Sequence, residues 1–103
     1  MLVLALDIGS SSIKAAMLRN GRPENPVTRT AYPTFRDGIR AEVDPQSLLR
    51  AVGKAIKSVP RARQADVLSF AVMAPACVAL DSSGRALSPI ITHQDRRSID
   101  DAR

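Results

Sequence analysis

The residues with the clearest chemical potential lie near the start of the chain: Asp7-Ile8-Gly9-Ser10-Ser11-Ser12-Ile13-Lys14. An acid stands at the end of an apolar run. A glycine then lets the backbone turn closely, and three hydroxyls with several N–H groups follow. Such a turn can present a ring of donors to phosphate oxygens. Lys14 adds a positive charge beside it. Asp7 can hold Mg²⁺ directly or through water, because Mg²⁺ keeps several waters and takes one or two carboxylates beside phosphates. An acid next to a phosphate turn suits phosphoryl transfer, where positioning and charge neutralisation carry the catalysis. The same residues also suit an ordinary tight hairpin, with serines for solubility and Asp7 as a turn former. The Gly-x-x-x-x-Gly-Lys spacing of a Walker A loop is absent. The residues alone leave both readings open.

The elements that must hold this segment follow from the apolar pattern. Leu2 to Ile8 reads as a buried strand and Ile13 to Arg19 as a second, paired antiparallel around the turn Gly9 to Ser12. Asn20-Gly21 is a strong hairpin signal, because both residues tolerate positive φ. Pro23 and Pro26 push the third strand later, toward Val27 to Phe35. Arg36 to Val43 reads as a loop around Gly38. Asp44-Pro45 starts a helix, with an N-cap acceptor followed by proline at the first helical position. Leu48, Leu49, Val52, Ala55, Ile56 and Val59 follow at helical spacing, Lys54 and Lys57 fall on the outer face, and Pro60 stops the helix. Val67 to Met73 and Cys77 to Leu80 read as further buried strands. Asp81 to Gly84 is a turn, and Ile90 to Thr92 a short strand. Ser98 to Arg103 reads as a helix start, with Ser98 as its cap and Asp100 and Asp101 in its first turn. The order of elements predicts a mixed α/β sheet: an antiparallel meander, a helix crossover, then further strands.

Composition narrows the function classes. The chain has 103 residues, enough for one domain or part of one and too few for two complete domains around a cleft. Hydrophobic residues make up 45% and charged residues 24%, which argues against disorder. The single cysteine, Cys77, rules out an internal disulfide scaffold and fits a reducing cytoplasm. It lies in an apolar run with no partner base in view, so a buried inert thiol is expected. No apolar stretch reaches the roughly 18–20 residues of a membrane span. The first residues lack the basic start of a secretory leader. The net charge is +5, which raises a small basic nucleic-acid module as one reading. Against it, aromatics are only 3%, too few for stacking platforms. Lys54, Lys57, Arg61 and Arg63 form a loose cluster that reads as a solvated face.

Three separated segments resemble the FGGY carbohydrate kinases, of the actin–Hsp70–sugar kinase superfamily. Asp7 to Lys14 is similar to the superfamily's first phosphate motif. Glu42-Val43-Asp44-Pro45 resembles the acidic residue and Asp-Pro that precede the first long helix. Asp81 to Ser98 resembles the family's pattern of Asp, a glycine-containing turn, Pro, apolar residues, then Trp-x-Asp-x-Arg-Ser or Thr. Glycerol-kinase-like members carry Gln-Asp-Arg-Arg there, as at Gln94 to Arg97. The pilus assembly ATP-binding protein PilM, of the same superfamily, has a very similar triple-serine turn but no counterpart at Gln94 to Arg97. It is the alternative: an ATP-binding scaffold that binds partner proteins.

The resemblance implies a ribonuclease-H-like fold and transfer of the ATP γ-phosphate to a sugar or polyol hydroxyl in a cleft between two domains. Residues 1–103 correspond to the N-terminal part of the first domain. Asp7 would organise Mg²⁺; Gly9, Ser10, Ser11 and Ser12 would line the phosphate turn, with Lys14 beside it. The acceptor side would take Ala74, Pro75, His93, Gln94, Asp95 and Arg97. Xylulose kinases carry Met-His, and glycerol kinases Arg-Glu, where this chain has Ala74-Pro75. Neither of these side chains can donate a hydrogen bond to a sugar. His93 replaces the usual Trp and serves either as a hydrogen-bonding ligand or as a partly buried structural histidine. Asp95 and Arg97 would contact substrate or form a structural ion pair that caps the following helix; Arg96 would face solvent. The family's catalytic base and adenine loops lie later in the sequence, so residues 1–103 alone are expected to lack kinase activity.

Overall fold

The structure is a computed structural model that describes residues 1–99. Its first two strands, β1 (Leu2–Ile8) and β2 (Ser12–Arg19), pair antiparallel in continuous register from Leu2↔Arg19 to Ile8↔Ile13. Asn20 and Gly21 close the next turn with φ of 52° and 75°, the mirror-image geometry that two-residue hairpins favour. The hairpin returns at once through β3 (Arg22–Pro23), and β4 (Thr28–Ala31) then pairs with the other end of β2. The strand expected from Val27 to Phe35 is thus the shorter β4, and β3 precedes it on the same edge of β2. Pro23 is tolerated because it sits on an outer strand whose far side needs no donor.

Phe35 belongs elsewhere. Residues 36–43, expected as a loop, form most of a hairpin of β5 (Phe35–Asp37) and β6 (Arg40–Val43) around Gly38. Its Arg and Asp side chains hide the strand alternation. Arg40 stacks over the Phe35 ring at 5.4 Å from the centroid. The hairpin and β8 (Ile90–Ile91) make a second sheet of order β5-β6-β8.

Helix α1 (Pro45–Ser58) starts where Asp44 predicts. The Asp44 carboxylate accepts the Ser47 N–H at 2.9 Å, and those bonds hold its carboxyl below the ordinary carboxylate range. The helix packs Ala51 and Ala55 onto Leu4, Leu6, Ile13, Ala15 and Met17, with Val43, Tyr32 and Val59 closing the core. Leu49, expected on this face, points outward at 62% exposure, and Ala51 takes the inward place.

Strand β7 (Val67–Val72) joins β1 in parallel, giving the main sheet the order β3-β2-β1-β7. Leu2 and Asp66 fix its start with two bonds: the Leu2 N–H donates to the Asp66 carboxylate and the Asp66 N–H to the Leu2 carbonyl, both at 2.8 Å. The sequence predicts β7 as buried; it is exposed. Leu68, Phe70 and Val72 lie beside Leu4, Leu6 and Ile8, on the helix side, yet are 46%, 51% and 62% exposed. The one helix does not extend over them. Cys77 to Leu80 forms no strand, only isolated bridges from Cys77 to Ile91 and Leu80 to Ala86, and Cys77 is exposed rather than buried. Asp81 makes the expected turn, accepting the Ser83 and Arg85 N–H groups, each at 2.9 Å. Ser98 lies in a turn; the rest of the expected C-terminal helix start falls outside the described residues. Among the described residues no helix is long and apolar enough to cross a membrane.

Candidate functional site

The serine turn sits at the carboxyl end of β1. All four of its carbonyls are tied back by protein donors. Gly9 O accepts the Tyr32 hydroxyl, Ser10 O the Thr34 hydroxyl at 3.3 Å, Ser11 O the Tyr32 N–H at 3.2 Å, and Ser12 O the Gly9 N–H at 3.0 Å. The N–H groups of Ser10 and Ser11 have no acceptor among the described residues. The turn thus has its acceptors consumed and these two donors free, the polarity an anion requires. Gly9 is needed there: a Cβ at this position would lie 3.2 Å from the Ser12 carbonyl oxygen.

Asp7 and Lys14 stand opposite each other in the β1–β2 register, both exposed. Neither side chain has a hydrogen bond or ion pair among the described residues. They border a shallow depression of about 310 Å³ on the sheet face away from α1, with Ala5, Ala16 and Ala71 as its small-residue floor. No group of three or more His, Cys, Asp or Glu gathers among the described residues. One free carboxylate fits a Mg²⁺ ion that brings its own waters and phosphates and does not fit a caged metal.

Tyr32 joins this turn to the next loop, and sequence reasoning missed it. Its ring is buried, which pushes its hydroxyl above the ordinary value. The hydroxyl meets Gly9 O and lies 3.9 Å from the Met73 sulfur. Met73 in turn donates its N–H to Ile8 O at 2.9 Å. The only signal in the sequence is the alternation Thr30, Tyr32, both core-facing.

Beyond Met73 lies the cis Ala74–Pro75 peptide and a second cleft of about 410 Å³. Pro75, His93, Asp95 and Arg97 line it, together with Cys77 and Thr92. Four of the six expected acceptor-side residues therefore share one cleft. Ala74 does not line it, and Gln94 turns away to the Arg36 guanidinium. His93 is exposed rather than partly buried, and Arg96 faces solvent as expected.

Asp95 lines the cleft and is also tied into the small sheet. Its Oδ2 accepts the Ala41 N–H at 2.8 Å, standing in for a strand carbonyl beside β6. Its Oδ1 accepts the Arg97 N–H and Nε, each at 3.0 Å. The Arg97 hydrogen bond, then the Ala41 and Arg97 N–H groups, hold the Asp95 carboxyl down at about 2, and Asp95 holds Arg97 up. Thr92 adds two bonds to the Ala41 carbonyl, at 3.1 Å from its N–H and 3.0 Å from its hydroxyl. The segment from Thr92 to Arg97 thus prolongs the small sheet as a stitched loop.

No protein-family model matches this chain, and no curated protein matches it significantly. Solved structures do. It is similar to a xyloylose kinase from Brucella ovis, at 28% identity and TM-score 0.79, over 99% of this chain and 22% of that one. A xylulose kinase from Rhodospirillum rubrum matches at 25% identity and TM-score 0.78, over 97% and 22%. The ligand-bound xylulose kinase from Lactobacillus acidophilus matches at 22% identity and TM-score 0.81, over 98% and 22%, a likeness of fold alone. The fold these features define is that of the sugar kinases these structures represent. More narrowly, the chain has the incomplete, ribonuclease-H-like mixed α/β fold of the N-terminal part of such an enzyme, and spans about a fifth of the length of the structures it matches.

Proposed function

We propose that residues 1–103 are the N-terminal part of the first domain of a cytoplasmic, ATP-dependent sugar or polyol kinase. The observation that carries this reading is the convergence of the serine turn and the second cleft. Both follow the carboxyl ends of adjacent parallel strands, with Ile8 beside Val72 and Tyr32 between the two loops. Ligands of open parallel sheets bind at that end of the strands.

In this reading Gly9, Ser10, Ser11 and Ser12 hold phosphate oxygens through backbone N–H groups and hydroxyls, and Lys14 adds charge. Asp7 holds Mg²⁺, largely through its waters. ATP supplies the phosphoryl group. His93 and Arg97 offer hydrogen bonds to an acceptor hydroxyl, while Pro75 and Cys77 give it an apolar wall. Asp7 is committed to the metal, so the base that takes the hydroxyl proton comes from outside these residues.

The reading is tested on the coding region past Arg103 and the intact mass of the native product. A longer product that phosphorylates a polyol with ATP, and loses at least about a hundredfold in kcat on Asp7→Ala, supports it. Residues 1–103 alone should show no ATP turnover above a protein-free control. Turnover by that chain, abolished by Asp7→Ala, would overturn the division of labour. Binding of MgADP with no phosphorylation of any polyol by the native product would favour the scaffold alternative.

A further inference from the structure

Behind Arg97, which lines the second cleft, lies a buried carboxylate. Glu42, on β6, is 5% exposed. A buried charge persists only when paired and hydrogen-bonded, and Glu42 has two partners on one oxygen. Arg40 approaches from the same strand at 3.0 Å, and Arg97 from the cleft at 2.9 Å. Arg97 is also gripped through Nε and Nη2 by Asp95, each at 3.0 Å. Two carboxylates, one before α1 and one after β8, therefore fix one planar guanidinium from two sides. Of the five N–H donors a guanidinium carries, three are committed in this way. The Arg97 side chain keeps 36% exposure at the cleft.

The charges in this cluster cancel. Arg40 and Arg97 are balanced by Glu42 and Asp95. The cleft wall thus carries the directed donors of Arg97 with its charge balanced, and its other polar side chains are His93, Ser98 and Thr92. That environment rewards hydroxyl oxygens and gives a carboxylate no surplus attraction.

We propose that Glu42 is a positioning residue that fixes the Arg97 guanidinium and cancels its charge, so that the cleft selects an uncharged polyol over a sugar acid. The substrate part rests on the acceptor-cleft reading above; the fixing of Arg97 does not.

The test uses residues 1–103 with isotope labelling, titrated with xylitol and with D-gluconate, following the Cys77, His93 and Ser98 amides. The unmodified chain should bind xylitol more tightly than D-gluconate. Glu42→Gln keeps size and an acceptor but leaves the cluster one charge positive. It should raise D-gluconate relative to xylitol by about tenfold. Rotation of the Arg97 guanidinium should become about tenfold faster, while the Ala41 amide keeps its protection from exchange. A merely structural role would leave the ligand ratio and the rotation unmoved. Glu42→Asp, which keeps the charge, should retain the polyol preference and guards against a Glu42→Gln chain that fails to fold. An unchanged ratio together with unchanged Arg97 rotation overturns the proposal. If neither probe shifts any amide of the unmodified chain, the acceptor-cleft reading falls. The positioning role is then decided by the Arg97 rotation alone.

Discussion

Single residues carry more of this structure than their types suggest. Tyr32 has a buried ring, and its hydroxyl is one of the donors that tie the serine turn to the rest of the sheet. Tyr32→Phe keeps the ring and orphans the Gly9 carbonyl, so it should cost about 1 kcal/mol of stability, read from urea unfolding. It should also broaden the Ser10 and Ser11 amide resonances; unchanged amides would show that the turn holds itself. Asp95 makes a pH prediction with a definite sign. Its folded carboxyl sits at about 2, below the ordinary 3.8, so it favours the folded state above about pH 4. That contribution fades as pH falls from about 4 to 2. Exchange of the Ala41 amide should accelerate across that window, and Asp95→Asn should remove the pH dependence. Asp7, Gly9 and the serines were legible as chemistry because their types and spacing are local. The Asp95–Arg97 pair was legible too, its members being two residues apart. The bonds of Tyr32 to Gly9 and of Asp95 to Ala41 were not, because those partners lie 23 and 54 residues apart, and the Glu42–Arg97 pair likewise joins distant segments.

At the level of elements, legibility followed the range of the forces that fix each one. Asp44-Pro45 and Asn20-Gly21 act within four residues, and both appear where their local chemistry places them. The β5–β6 hairpin escaped notice because its strands are charged, and it is stabilised through β8 and the Thr92 to Arg97 loop, far along the chain. Strand β7 was recognised as a strand from its β-branched and aromatic residues, but its burial was misjudged: apolar sequence reports what a strand can bury, and the covering partner is a separate matter. An apolar edge strand with unpaired backbone groups invites association. Residues 1–103 should therefore self-associate at high concentration. Phe70→Lys should reduce that association, seen by sedimentation, with little change in the unfolding midpoint, since Phe70 is already half exposed. A fall in stability without any change in association would show that this edge is already protected.

The whole molecule is more open than its length requires. The radius of gyration is 15.7 Å, against about 13 Å for a compact domain of roughly 100 residues. The excess reflects an elongated shape, with principal extents of 46, 30 and 21 Å. Phosphoryl transfer needs a dry, closed site, and both clefts here open to solvent.

The β1–β7 pairing also orders events in time. Hairpin β1–β2 closes across a turn of four residues, Gly9 to Ser12, and such hairpins form in microseconds. The Leu2 to Asp66 bond closes a loop of 64 residues, which is slow because the chain must be ordered before the contact stabilises anything. The serine turn is thus an early product of folding and the second cleft a late one. During refolding, Ser10 and Ser11 should reach native resonance positions before Cys77 and His93 do. A chain halted between the two stages would carry a formed serine turn with no second cleft beside it.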